Sequence, residues 1–153
     1  MSVISVSNSK GGAGKTTLAM ILADQLVENG LSVAVIDADP NGIITKWAAK
    51  RAEAGREMPY SVTSQPKEAA MIETIAQLAN ENDMVIIDLE GTASRMMSRA
   101  LIRSHLVLVP FNQSPVDAEL AAATDSPTTE NDAPAQRNTP PISKRSRDSA
   151  AFA

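Results

Sequence analysis

Ser9-Lys10-Gly11-Gly12-Ala13-Gly14-Lys15-Thr16-Thr17 places three glycines, two lysines and two adjacent threonines in nine consecutive residues. Glycines at this density let a backbone curl until successive N–H groups face one anion. If a helix begins at Lys15, its positive end adds to that field, and the Lys15 ammonium falls where the β- and γ-phosphates of a nucleotide would lie. Thr16 supplies a hydroxyl suited to Mg²⁺. A plain glycine-rich turn would have no use for Lys15-Thr16 at the start of the helix.

Two acidic segments could complete such a site. Val35-Ile36-Asp37-Ala38-Asp39-Pro40-Asn41-Gly42 ends an apolar run with two carboxylates on one loop, and Val85-Ile86-Ile87-Asp88-Leu89-Glu90-Gly91-Thr92 ends another with an acid and a D-x-x-G spacing. An acid at the carboxyl end of a parallel strand points into the crevice where ligands bind. Asp88 is expected to hold Mg²⁺ through water, and the Gly91 N–H to meet the γ-phosphate.

These residues need elements to position them. Val3 to Val6 reads as a strand, and a helix from about Lys15 to Asn29 carries the stripe Leu18, Ile21, Leu22 and Leu26, closed by Gly30. Ser32 to Asp37 reads as a buried strand, followed by a helix through Trp47 that ends near Gly55, with Trp47 packed. Tyr60 to Thr63 is a weak third strand. Ser64-x-x-Lys67, with Pro66, is expected to open a helix whose Met71, Ile72, Ile75 and Leu78 share one face. Met84 to Asp88 and Leu106 to Val109 read as strands apolar on both faces, separated by a helix over about 92–103. Such strands alternating with helices predict an α/β fold, a mostly parallel, doubly wound sheet covered on both sides.

Within the helix at 92–103, Arg95, Arg99 and Arg103 recur every fourth position opposite Met96, Met97, Ala100 and Leu101, the pattern of a solvated face. His105 has no acid or second histidine near it in sequence and is assigned no ligand or base role.

The Lys-Gly-Gly-x-Gly-Lys-Thr arrangement departs from the ordinary phosphate-loop pattern, with Ser9 in place of its first glycine and Lys10 after it. It resembles the deviant Walker A motif of the ParA/MinD family of partition and positioning ATPases. The segments ending in Asp39 and Asp88 are similar to that family's switch I and Walker B segments, though Leu89-Glu90-Gly91 after Asp88 departs from the usual pattern of an acid followed shortly by two prolines. The resemblance implies a P-loop NTPase fold that binds ATP and Mg²⁺ and dimerises around the nucleotide. It implies further that Lys10 reaches the partner's phosphates, that Asp39 orients the attacking water and that Asp37 lies near the metal's water shell. Gly11, Gly12, Ala13, Gly14, Lys15, Thr16 and Thr17 would cradle the phosphates.

Absences narrow the branch. With no cysteine among 153 residues, thiolate zinc and iron–sulfur chemistry are excluded, and the iron–sulfur members of the superfamily with them. Tyr60 is the only tyrosine, unlike the tyrosine cluster of related kinases. No apolar run approaches the roughly 18 to 20 residues that cross a bilayer, and Arg147 to Ala153 is too poor in apolar residues for a basic membrane helix. A cytoplasmic, ParA-like protein acting in plasmid or chromosome partitioning is the expectation, with a ParB-like centromere-binding partner. A net charge of −4 makes nonspecific DNA binding a local matter if it occurs at all.

Composition changes near residue 124. Residues 125–153 carry four of the nine prolines and only Ile142 and Phe152 as large apolar groups, so they are expected to be a disordered, low-complexity tail after an ATPase domain at 1–124. Ser114-Pro115-Val116-Asp117 opens a well-capped helix that then dissolves into this tail, and the expected later strands of the family are missing. The expectation is a truncated or frameshifted ParA-like chain. The readings are an ATPase, a non-hydrolysing nucleotide-binding fragment that titrates a full-length relative, or a degenerate remnant with no stable fold.

Overall fold

The computed structural model describes residues 2–64, 66–91 and 94–111. Five strands, β1 (Ser2–Val6), β2 (Val33–Asp37), β3 (Ser61–Ser64), β4 (Met84–Asp88) and β5 (Leu106–Leu108), form one all-parallel sheet in the order β3-β2-β4-β1-β5. Four α-helices connect them: α1 (Lys15–Glu28), α2 (Ile43–Glu53), α3 (Met71–Glu81) and α4 (Arg95–Arg103). The fold class is the α/β class expected from the alternation. The helix predicted to open at Ser114 and the tail at 125–153 lie outside the described residues.

The period of two along each strand divides the core into two layers. On one face Val6, Val33, Val35 and Ile86 pack with Ala19 and Ala23 of α1 and Ile44 of α2. On the other, Val3, Ile36, Val85 and Ile87 meet Met71, Ile75 and Ala79 of α3 and Met97 and Ala100 of α4. Every residue of β2 is buried, which a continuous β-branched run tolerates only between two helical layers. α1 closes as expected, with Gly30 N–H donating to Val27 O and Leu31 N–H to Leu26 O, the paired bonds of a Schellman end. Gly55 and Arg56 close α2 in the same way on Ala52 and Arg51.

Several local expectations are corrected. Ser64 does not cap a helix: it is the last residue of β3, in register with Asp37 of β2, and the sheet ladder takes its backbone. A short 3₁₀ turn at Glu68–Ala70 leads into α3 instead. Ile72 lies on the exposed side of α3 and Ala79 takes a place on its buried face. Trp47 is 42% exposed, not packed, because α2 turns Ile44 toward the sheet. Among the described residues β5 is an edge strand that pairs with β1 alone, Leu108 packing against the core while Leu106 is 50% exposed. α4 starts at Arg95, where the Ser94 hydroxyl accepts from Met97 N–H at 3.1 Å.

The arginine stripe is the wet side of α4. Arg95 and Arg103 are exposed, and Arg99 donates to Glu68 O at 2.9 Å while its other amino group lies 3.5 Å from the Glu68 carboxylate. His105 serves the sheet edge: its Nδ1 accepts from Val3 N–H at 3.0 Å, and its own N–H donates to Val3 O at 2.8 Å.

A fully buried residue of the central strand pair should dominate stability. Ile86→Ala is expected to cost about 2 to 5 kcal/mol in urea unfolding. Ile102→Ala, removing a side chain 78% exposed on α4, should change it by less than about 0.5 kcal/mol.

Candidate functional site

The chain leaves β1 toward β2 on one side, and β4 crosses over to β5 on the other, so the carboxyl ends of β1 and β4 lie where connections diverge. Ligand crevices of open α/β sheets form at such points. Here a cleft of about 580 Å³ is walled by Ser9, Gly11, Gly12, Gly14, Lys15, Thr16 and Thr17 on one side and Asp39, Pro40, Asn41 and Ile43 on another, with Glu90 and Gly91 completing it.

Gly14 stands at the head of α1 with φ 86°, a left-handed conformation that a side chain would strain, and no side chain caps the helix. The helical ladder begins with Leu18 N–H donating to Gly14 O at 2.9 Å. The N–H groups of Lys15, Thr16 and Thr17 therefore have no intrahelical acceptor, and with the helix dipole they favour an anion. Lys15 is only 7% exposed, its Nζ 3.4 Å from Lys10 O. Gly91 approaches it closely: a Cβ added there would lie 3.4 Å from Lys15 Nζ and from Ser9 O.

Behind this wall two carboxylates are buried in register on neighbouring strands, Asp37 on β2 and Asp88 on β4. Asp88 Oδ2 accepts from the Thr16 hydroxyl at 2.7 Å. Asp37 Oδ2 accepts from both the N–H and the hydroxyl of Thr45, each at 2.8 Å. The remaining oxygens, Oδ1 of Asp37 and of Asp88, are buried with no hydrogen-bond partner among the described residues. Asp39 turns its Oδ1 to Asn41 N–H at 2.8 Å, shaping the loop that forms the opposite wall.

The structure thus gathers Gly11, Gly12, Gly14, Lys15, Thr16, Thr17, Asp39 and Gly91 around one cleft. Asp37 and Asp88 are buried outside its lining, Asp88 linked to it through Thr16. Ala13 is buried, and Lys10 is exposed outside the lining. No group of three or more His, Asp or Glu residues that could hold a metal occurs among the described residues. The donor set, one hydroxyl and two carboxylates with orphaned oxygens, suits a cation that keeps water and phosphate oxygens as most of its ligands. Mg²⁺ is of that kind.

Two positioning groups carry no motif in the sequence. Asn8 is buried and grips both ends of its surroundings, its Nδ2 donating to Pro110 O at 2.6 Å and its Oδ1 accepting from Lys10 N–H at 2.8 Å. Thr45 is the other. Their partners lie 102 residues away for Asn8 and 8 for Thr45. The available signal was a polar residue just after the apolar first strand and a hydroxyl in the first helical turn after the acidic segment ending in Asp39.

Burial holds the Asp88 carboxyl up at about 6, with the negative charges of Asp37 and Asp39 adding to the rise and the Thr16 hydroxyl and Lys15 opposing it. The native state therefore binds a proton more tightly than the unfolded chain. Stability falls as pH climbs from about 3.8 to about 6, and the penalty, on the order of 3 kcal/mol, is complete above that interval. Asp88→Asn, which keeps an acceptor for Thr16, is expected to raise the melting temperature of the ligand-free protein at pH 7.5 and to flatten its dependence between pH 4.5 and 7.5.

Comparison with known proteins agrees with this geometry. Residues 1–130 match the family profile described as VirC1 protein. Over 124 residues the chain is 43% identical to Protein ParA of Rhizobium radiobacter, covering 80% of this chain and 54% of that protein. Over 126 residues it is 29% identical to Protein virC1 of the same organism, covering 81% and 54%. The chain thus spans about half the length of these curated relatives. Its fold matches that of a putative plasmid partition protein from Borrelia burgdorferi bound to AMPPNP, with a TM-score of 0.68 at 19% identity over 80% of this chain and 67% of that one. It also matches cobyrinic acid a,c-diamide synthase from Mycobacterium smegmatis with bound ADP and magnesium, with a TM-score of 0.61 at 22% identity over 80% and 66%. With a deviant phosphate loop, an acid-tipped second strand and a parallel sheet all in place, the chain belongs to the VirC1/ParA family of ParA/MinD P-loop ATPases, to which its first four-fifths is homologous.

Proposed function

We propose that this chain binds ATP with Mg²⁺ in the cleft beside α1, dimerises around the nucleotide and hydrolyses it in the service of DNA partitioning. The observation that carries the reading is the uncapped amino end of α1, with Lys15 buried beside it and Thr16 joined to Asp88. A triphosphate answers each of these features: its oxygens take the free N–H groups, its charge offsets Lys15, and its bound cation suits the orphaned carboxylate oxygens.

In this reading the amides of Gly11, Gly12, Ala13 and Gly14 surround the phosphates, and Lys15, Thr16 and Thr17 complete the cradle at the head of the helix. Mg²⁺, held by Thr16 directly and by Asp88 and Asp37 through its water shell, would neutralise charge on the β- and γ-phosphate oxygens. Asp39, on the facing wall, accepts a hydrogen bond from the attacking water and aligns it. Gly91 offers its N–H to the terminal phosphate. Lys10, exposed beyond the lining of the cleft, reaches a second copy's nucleotide, so full charge stabilisation exists only in the dimer. Residues 1–124 act as the nucleotide-binding unit, with 125–153 outside it. Partners of the ParB type and DNA as cargo follow from the family.

A second reading, nucleotide binding without turnover in mixed dimers with a full-length relative, is favoured by the chain's spanning about half the length of its curated relatives. ATP turnover with and without DNA separates the two. For the first reading, Lys15→Ala should weaken nucleotide binding at least about a hundredfold. Lys10→Ala should leave binding within about threefold and reduce turnover about 10³-fold, as loss of a charge supplied in trans does. Calorimetry with Mg²⁺ and ATP checks binding, phosphate release checks turnover and sedimentation checks dimerisation. Absence of any binding heat from folded protein overturns both readings, and binding without release selects the second.

A further inference from the structure

The loop from Asp37 to Thr45 forms the wall of the cleft that faces α1, and it is closed on itself at its two ends. Thr45, in the first turn of α2, donates twice to a single oxygen of Asp37, at 2.8 Å from its N–H and 2.8 Å from its hydroxyl. Inside this ring Gly42 N–H donates to Asp39 O at 2.9 Å and Asn41 N–H to Asp39 Oδ1 at 2.8 Å. The ring thus fixes the backbone on which Asp39 stands. It also divides the Asp37 carboxylate into one oxygen satisfied twice and one, fully buried, satisfied by nothing among the described residues.

A helix start can be capped without such an arrangement. The amino ends of α1 and α3 have no side-chain cap at all, and Ser94 caps α4 from the adjacent position. At α2 the acceptor comes instead from the strand end eight residues earlier, beside Asp88. Both donors on one oxygen leave the other with its full capacity to accept, in a place where acceptance must come from a ligand.

We propose that Thr45 is a positioning residue of the cleft: its hydroxyl holds Asp37 so that the carboxylate's second oxygen receives a water of the nucleotide-bound Mg²⁺, and so keeps Asp39 in place. This deepens the reading given under Proposed function and rests on it. The hydroxyl acts through Asp37 and touches neither nucleotide nor cation.

The test titrates Mg²⁺ calorimetrically into the full chain saturated with a non-hydrolysable ATP analogue, with Trp47 emission as a second readout. Trp47 is the only tryptophan, half-exposed two positions beyond Thr45. Thr45→Val keeps the shape and the N–H but lacks the hydroxyl, and Thr45→Ser keeps both donors. Losing a hydrogen bond to an ionised group should raise the half-saturating Mg²⁺ concentration of the valine variant at least about tenfold. Its affinity for the analogue in EDTA should stay within about twofold of the parent, and the serine variant should match the parent in both. Equal weakening with and without Mg²⁺ assigns Thr45 a purely architectural role and overturns the proposal, as does a valine variant that behaves like the parent. If valine prevents folding, Thr45→Ala is measured under the same criteria. A parent chain that binds no analogue brings down the nucleotide reading itself, and this inference with it, whereas Mg²⁺-dependent binding unaffected by valine removes this inference alone.

Discussion

Two carboxylates that cannot both be comfortable set the character of this molecule. Parallel strands lie about 4.8 Å apart, and the pairing of β2 with β4 puts Asp37 and Asp88 side by side at their carboxyl ends, both out of water. Each is given donors on one oxygen alone. The other oxygen of each is stranded, and desolvation together with mutual repulsion lifts the Asp88 carboxyl to about 6. In the proposed reading a cation would relieve this arrangement, so affinity for a charged ligand would draw on a penalty already present in the fold.

The same logic extends to the positive side of the cleft. Lys15 is buried next to uncapped helix amides, so cationic character is concentrated at the head of α1. The Thr16 hydroxyl bound to Asp88 links this side to the carboxylates, and the Lys15 charge acts on the same carboxyl. In the proposed reading a triphosphate with its metal would lie between them, since it carries both signs in that order, metal toward the carboxylates and phosphate toward the helix. Gly91 lets the third wall approach without displacing Lys15.

Much of this was legible in the residues because it is local. A strand, a glycine loop and a helix start follow one another within 28 residues, and β-branched runs ending in acids announce parallel strands whose tips face a crevice. What was not legible depends on partners distant in sequence or on which side of a helix meets the sheet. Asn8 looks like any loop asparagine until Pro110 is brought beside it. Trp47 and Ile72 have the hydrophobicity of core residues, but Ile44 and Ala79 fill the sites that their helices offer the sheet. Ser64 has the chemistry of a cap and is taken by the ladder with β2. β5, as apolar as the inner strands, is half-exposed because strand order decides cover and composition cannot.

Asn8 has a mechanical consequence. Its amide group is one rigid plane, held at its nitrogen by the carbonyl of Pro110 and at its oxygen by the backbone of Lys10. One side chain therefore ties the backbone at Pro110, just past the fifth strand, to the opening of the glycine loop, and removing it would free both carbonyl and amide at once.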